Sequence, residues 1–237
     1  MIKKNVLVVA AHPDDETLGC AGTIQKLKEL GYQVYVMIFS DGESSRRNNK
    51  KNIKIRSNQL KLVSKILGFK LFKQYKFPDN ELDKVSNLEL TKKIEIAIAK
   101  INPEIVLTHS NKDLNIDHKI ISNATVTACR PFPKSSIKEL LFFEILSSTE
   151  WNFNSKNIKF NPNKFFNIEN FIEKKLEALK IYKFELRQYP HPRSLEGVNV
   201  LSKFRGQSVG LKYAEAFDNE VLLYLSQSRH KTKHSIS

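Results

Sequence analysis

The stretch Val6-Leu7-Val8-Val9-Ala10-Ala11-His12-Pro13-Asp14-Asp15-Glu16, continuing through Thr17-Leu18-Gly19-Cys20-Ala21-Gly22, decides the reading of the fold. Its apolar run has no polar alternation, the pattern of a central parallel strand buried on both faces. The strand ends in one imidazole and two adjacent carboxylates. From Asp15 to Leu30 the residues Leu18, Ile24, Leu27 and Leu30 recur at near-helical spacing, and Gly31 is a natural helix stop. Gln33 to Phe39 reads as a second strand, so the order is strand, helix, strand, a right-handed βαβ unit that binds ligands at the carboxyl ends of its strands.

Outward from this unit the pattern repeats. The spacing predicts helices over 53–67, 88–101 and 117–129, and strands near 69–72, at 104–108 and at 140–146, with a turn at Phe77-Pro78-Asp79-Asn80. Further helices are expected over 168–186 and 201–213, and a late strand over 221–225. The polar, basic segment Ser40 to Asn52 is too long for a simple connection and reads as a mobile loop over a site. The whole predicts a single α/β domain over 1–225, a mostly parallel sheet flanked by helices, followed by a basic, flexible tail at 226–237 that contains His230 and His234.

Composition fits this: 41% hydrophobic and 27% charged in 237 residues is globular. No run approaches the about 18 apolar residues of a membrane span. The start lacks the apolar core and cleavage site of a signal peptide, and the only two cysteines, Cys20 and Cys129, fall in expected helices. A cytoplasmic location follows as the expectation. The net charge of +14 raises nucleic acid as a partner. The lysines are spread along the chain without a nucleic-acid-binding signature, which argues against it; an anionic small molecule suits the charge better. Aromatic and basic residues after Trp151 suit either a substrate pocket or the interface of a homo-oligomer.

A second polar constellation, His109-Ser110-Asn111-Lys112-Asp113-Leu114-Asn115-Ile116-Asp117-His118, follows the strand at 104–108. Parallel strands would bring it beside the first. His12, Asp15 and His118 then make a His, Asp, His set that leaves positions open for water and substrate, as in a catalytic zinc site, and Asp14 is placed to act as general base. Each motif alone has a plainer reading: an aspartate helix cap beside a bystander histidine, and a helix-start His118 beside a capping Asp117. His109, at a strand end, is either a second candidate, behind His191, for an imidazole that moves the proton or a packed, hydrogen-bonded side chain.

Together the two motifs, AHPDDETLGCAGTI and THSNKDLNIDHK, resemble the PIG-L/LmbE family of metal-dependent de-N-acetylases. The likeness extends to Asp41-Gly42, Arg56, Phe77-Pro78-Asp79-Asn80, His191-Pro192-Arg193-Ser194, Arg205-Gly206, Gly210 and Tyr213-Ala214-Glu215-Ala216-Phe217. It implies a Rossmann-like sheet, one zinc or another divalent metal held by His12, Asp15 and His118, Asp14 as base, a substrate contact at Arg56, and an N-acetylated amino sugar, free or nucleotide-linked, as substrate. In many members the residue three before the last metal histidine is itself a histidine, held by the intervening aspartate, here Asp117. This chain has Asn115 there, which donates a neutral hydrogen bond but no proton. His191 is the candidate for the missing imidazole, with Arg193 beside it for an anionic part of the substrate; the alternative is that Tyr189-Pro190-His191-Pro192 is a rigid surface turn.

Three other readings stay open at this level. One is an amidase on another N-acyl substrate. Another is a non-catalytic binding module. The third is a serine hydrolase, because Gly206-Gln207-Ser208-Val209-Gly210 matches the G-x-S-x-G elbow, although no buried-strand run precedes it.

Overall fold

The computed structural model describes residues 4–45, 50–132, 135–153 and 159–222. The tail at 226–237, with His230 and His234, the end of the expected strand at 221–225 and the centre of the expected loop at 40–52 lie outside the described residues. The elements are β1 (Asn5–Ala10), α1 (Asp15–Glu29), β2 (Gln33–Ser40), α2 (Lys50–Leu67), β3 (Lys70–Phe77), α3 (Asn87–Ile101), β4 (Ile105–His109), α4 (Ile116–Ala128), β5 (Glu139–Phe143), β6 (Lys164–Asn167), α5 (Ile172–Ile181), α6 (Leu195–Gln207) and β7 (Ala214–Leu222).

One seven-stranded sheet runs in the order β3-β2-β1-β4-β5-β7-β6, and only β7 opposes its neighbours. Successive residues of β1 serve opposite layers. Val6, Val8 and Ala10 pack among the residues of α1, α2, α5 and α6, and Leu7 and Val9 among those of α3 and α4. A strand covered on both faces is apolar at every position, as the sequence pattern required. From β1 the chain winds one way to β2 and β3 and, after α3, the other way to β4 and β5. The strand order therefore reverses between β1 and β4, which opens a crevice at their carboxyl ends.

Several boundaries differ from expectation. Helix α6 starts at 195 and ends at 207, six residues before the expected 201–213, because Ser194 caps it, its side chain accepting from the Gly197 amide. β7 occupies 214–222 rather than 221–225: Ala214-Glu215-Ala216 has little intrinsic strand character, and pairing with β6 makes it strand, β5 joining on the other side from Phe217 onward. β3 runs through 77 rather than stopping at 72, with register shifts against β2 that break the two-residue alternation. β6 was not expected, and the long helix expected over 168–186 is reduced to α5 and a short 3-10 turn before it. Among the described residues no helix is long and apolar enough to cross a membrane.

Candidate active site

The crevice between β1 and β4 holds the two motifs. Pro13 and Asp14 turn the chain from β1 into α1, and Asp14 does so at φ 125°, a backbone conformation that costs a side-chain-bearing residue about 1–3 kcal/mol. Glu16 holds the turn: its Oε2 accepts the Asp14 amide at 3.0 Å, while Oε1 accepts the hydroxyls of Thr17 at 2.7 Å and Tyr182 at 2.9 Å. Burial pushes the Glu16 carboxyl up to about 7. The strain is thus maintained by a fully buried acid with no access to the cavity.

His12, Asp15 and His118 converge as expected. His12 Nδ1 is 3.3 Å from His118 Nε2 and 3.3 Å from Asp15 Oδ2, and His118 Nε2 is 3.5 Å from Asp15 Oδ1. Donors at zinc–ligand distances of about 2.0–2.1 Å in a tetrahedron stand about 3.3–3.4 Å apart; the two imidazole nitrogens have that spacing, and Asp15 turns one oxygen to each of them, all three residues offering ligand atoms within 4.8 Å of one another. The charges fit too. Burial works against protonation of His12 and His118, yet Asp117, Asp15 and Asp79 raise the first, and Asp15 and Asp113 carry the second up to about 9. The carboxylates around the two imidazoles thus favour positive charge at this point of the site. A divalent cation meets the same demand.

Each histidine has carboxylates behind it. His12 Nε2 lies 3.1 Å from Asp117 Oδ2 and 3.1 Å from Asp79 Oδ1, and His118 Nδ1 lies 3.2 Å from Asp113 Oδ1. Partners of this kind fix the ring orientation of a metal ligand. Asp113 is fixed in turn by the hydroxyls of Ser148 and Thr149, and beside His118 its carboxyl is held at about 2 despite burial. Neither Asp113 nor Asp79 was assigned a role from the sequence. Asp113 lies five residues before His118 within the quoted motif, and the need of a metal histidine for a backing carboxylate is the signal that could have singled it out. His12, Asp79 and Asp117 also form a metal-type group, but Asp117 already accepts the amides of Asn80 and Leu82, at 2.8 and 3.1 Å.

Asp117 therefore holds His12, not the residue at 115. Asn115 caps α4: its Oδ1 accepts the Asp117 amide at 2.8 Å and the His118 amide at 3.4 Å. Its Nδ2 is 3.4 Å from Asn80 Oδ1, at the cavity wall.

Asp14 is 1% exposed, and Arg56 Nη2 forms an ion pair with its Oδ1 at 2.9 Å. Its Oδ2 has no hydrogen-bond partner among the described residues, with Arg193 3.7 Å away. Burial raises the carboxyl to about 6, against the pull of Arg56. Arg56 is 3% exposed and donates also to the Pro13 carbonyl at 2.9 Å, to Glu43 at 3.1 Å and to Glu185. These contacts occupy the guanidinium that the family resemblance assigned to substrate. Glu185, absent from the sequence reading, is drawn in only because the chain after α5 returns to α2.

A cavity of about 80 Å³ is lined by His12, Asp14, Asp15, Arg56, Asn115 and Arg193, among others. His191 is not part of its wall. Its Nδ1 accepts the Arg193 amide at 3.0 Å, its ring stands edge-on to Trp151, and desolvation together with Arg187 and Arg193 lowers its pKa. His109 is the packed side chain of the two alternatives: it is fully buried, accepts the Ala11 amide at 2.9 Å and stacks on His118 at 4.0 Å. Burial lowers it to about 4. Ser208 is exposed and follows a helix rather than a strand, and its hydroxyl donates to the Arg205 carbonyl, so the nucleophile elbow is absent.

Comparison with known proteins agrees with this geometry. The family model described as PIG-L, GlcNAc-PI de-N-acetylase, matches residues 7–129, more than half of the chain, and the chain belongs to that family. A relative from Bacillus cereus, described as a probable N-acetyl-alpha-D-glucosaminyl L-malate deacetylase, is 30% identical over 142 residues, 56% of this chain and 64% of its own. The N,N'-diacetylchitobiose deacetylase of Pyrococcus horikoshii has the same fold, with a TM-score of 0.74 at 20% identity over 97% of this chain and 88% of that one. So does the 4-carboxy-2-hydroxymuconate hydratase of Pseudomonas putida, with a TM-score of 0.74 at 20% identity over 95% and 99%. Deacetylases and a hydratase share this sheet, so the reaction must be argued from the site.

Proposed function

We propose that this member of the PIG-L family is a zinc-dependent N-deacetylase that hydrolyses the N-acetyl group of an amino sugar, with Asp14 as general base. The observation that carries the reading is the unpartnered, buried Oδ2 of Asp14 in the same small cavity as His12 and Asp15. His12, Asp15 and His118 would hold the cation; Asp79, Asp117 and Asp113 would orient the two imidazoles. When bound, the cation supplies Lewis acidity toward water and the amide carbonyl.

Asp14 takes a proton from the attacking water at Oδ2 while Arg56 fixes Oδ1, so the carboxylate has one oxygen anchored and one available. The amide of Asn115 faces the cavity and donates to the oxygen that gains charge in the tetrahedral intermediate. With His191 off the cavity wall, Asp14 returns the proton to the departing amine, and His191 acts by fixing Arg193. Arg193, half-buried at the edge of the cavity, binds an anionic part of the substrate, which together with the net charge of +14 favours a nucleotide-linked sugar.

The relative from Bacillus cereus, described as a probable N-acetyl-alpha-D-glucosaminyl L-malate deacetylase, supports an N-acetylated amino sugar as the substrate. The test is a panel of N-acetylated sugars, free and nucleotide-linked, with amine release measured in zinc-loaded and chelator-treated protein. Amine release that disappears on chelation and returns with zinc is expected. Activity that survives chelation, or no amine from any member of the panel, overturns the reading.

A further inference from the structure

Helix α1 is broken at Cys20, whose φ of −149° and ψ of 20° leave the helical region. Gly19 and Gly22 flank the break for packing reasons. A Cβ on Gly19 would stand 2.5 Å from the Phe143 ring, and one on Gly22 would stand 2.6 Å from Ile168. In an unbroken helix the Gly22 amide would donate to the Leu18 carbonyl and the Thr23 amide to that of Gly19. Here both amides donate to one carboxylate of β7: Gly22 to Glu215 Oε1 at 3.0 Å and Thr23 to Oε2 at 2.6 Å.

The Leu18 carbonyl accepts instead from Lys175 Nζ of α5 at 2.7 Å, and the same ammonium donates to Glu215 Oε1 at 2.6 Å. A buried ion pair is thereby inserted into the helix, running from the Gly22 amide through Glu215 and Lys175 to the Leu18 carbonyl. Lys175 and Glu215 are 3% and 5% exposed. A buried pair of this kind seldom adds cohesion over an apolar replacement, because both charges must be desolvated. Its geometry indicates what it does. Glu215 caps the second segment of α1 where the helix dipole favours negative charge, and Lys175 satisfies the carbonyl at the end of the first. That first segment begins with Asp15 and Glu16, directly after Asp14.

We infer that Lys175 and Glu215 are positioning residues for the metal-and-base end of α1, holding the break that aims Asp14 and Asp15 into the cavity. The inference rests on the roles assigned to those two aspartates above. It gives a function to the Gly-Cys-Ala-Gly run after the first motif and to the glutamate of Tyr213-Ala214-Glu215-Ala216-Phe217, which the chemistry itself does not use.

The full-length protein is tested as Glu215→Asp and as the double variant Lys175→Met with Glu215→Gln. The first keeps the charge but is one methylene too short to reach both amides. The second removes the pair without stranding either charge. Zinc affinity is read by competition with a chromophoric chelator, and amide exchange is read at Gly22 and Thr23 with α3 as internal control. Zinc affinity is expected to fall about 10–100-fold in the double variant and less in Glu215→Asp, the range found for partners that orient metal ligands. Exchange at Gly22 and Thr23 should rise at least about tenfold while α3 is unchanged, a local rather than global opening. In zinc-saturated protein the turnover number should fall more than KM rises, since the loss is in alignment of Asp14.

Wild-type zinc affinity in Glu215→Asp overturns the inference, as does wild-type affinity in a folded double variant; if the double variant does not fold, Glu215→Asp decides alone. Neither zinc affinity nor exchange needs a substrate. Failure of this inference is therefore separate from failure to find a sugar that the enzyme deacetylates.

Discussion

Replacing Arg56 by methionine tests the electrostatic design of the site most directly. Arg56 is 3% exposed and forms ion pairs with Asp14, Glu43 and Glu185, themselves 1%, 7% and 4% exposed. Breaking a buried ion pair by removing one partner costs about 3–5 kcal/mol. Arg193 stands 3.7 Å from both Asp14 and Glu185 and takes up part of the lost attraction, so the lower end, about 3 kcal/mol, is expected. For a chain of this size each kcal/mol moves Tm by about 2–4 °C, which gives a fall of about 6–12 °C. The pH dependence has a definite sign. Asp14 already has its carboxyl raised to about 6 by burial, and loss of the guanidinium raises it further above its unfolded value. A carboxylate whose folded pKa is raised destabilises fully above that pKa and less as pH falls through it. The deficit of Arg56→Met in metal-free protein should therefore be larger at pH 8 than at pH 5, as measured by calorimetry or urea unfolding. A Tm within about 2 °C of wild type at pH 8, or a deficit that grows on acidification, would refute the reasoning.

Purified protein should carry about one zinc per chain, and His12→Ala or His118→Ala should abolish it; retained metal in both variants would remove the ligand assignment. Zinc at about a hundred times its Kd should stabilise the wild type by about 2.7 kcal/mol and those variants by nothing, read as a ligand-dependent Tm. Asp113→Ala, which strips His118 of the carboxylate 3.2 Å away, should weaken zinc binding by about 10–100-fold in a chelator competition. Asn115→Ser keeps the helix cap but lacks the cavity-facing amide, so Tm should hold while turnover falls about tenfold or more, and unchanged turnover would remove the oxyanion role. Ser208→Ala should leave turnover at wild-type level, whereas a loss would revive the serine reading.

The parallel core was legible because burial on two faces erases polar alternation. Val6 to Ala10 and Glu104 to Thr108 read directly as strands, and the crevice between β1 and β4 followed from the polar motifs after them. The carboxyl-terminal third was harder for a different reason. Ala214-Glu215-Ala216 becomes strand through its pairing with β6, and α6 is defined by a single capping hydroxyl at Ser194, which the apolar pattern passes over. Lys70 to Phe77 hides its alternation behind register shifts against β2.

The site divides in the same way. His12, Asp15 and His118 announce themselves because metal ligands sit at strand ends and helix starts, close in sequence to the elements that aim them. Asp79 and Glu185 act only through tertiary approach, behind His12 and Arg56, and no local spacing encodes that. Asn115 lies between the two cases. A cap and an oxyanion donor are competing readings of one residue only if a side chain has one kind of polar atom. An amide has two, and here Oδ1 accepts from the first amides of α4 while Nδ2 points across the cavity wall toward Asn80. The helix that presents His118 and the donor proposed for the intermediate are thus anchored by the same side chain. For that reason the departure from the family's histidine leaves the proposed metal ligand His118 in place and, in the proposed mechanism, leaves the proton to Asp14.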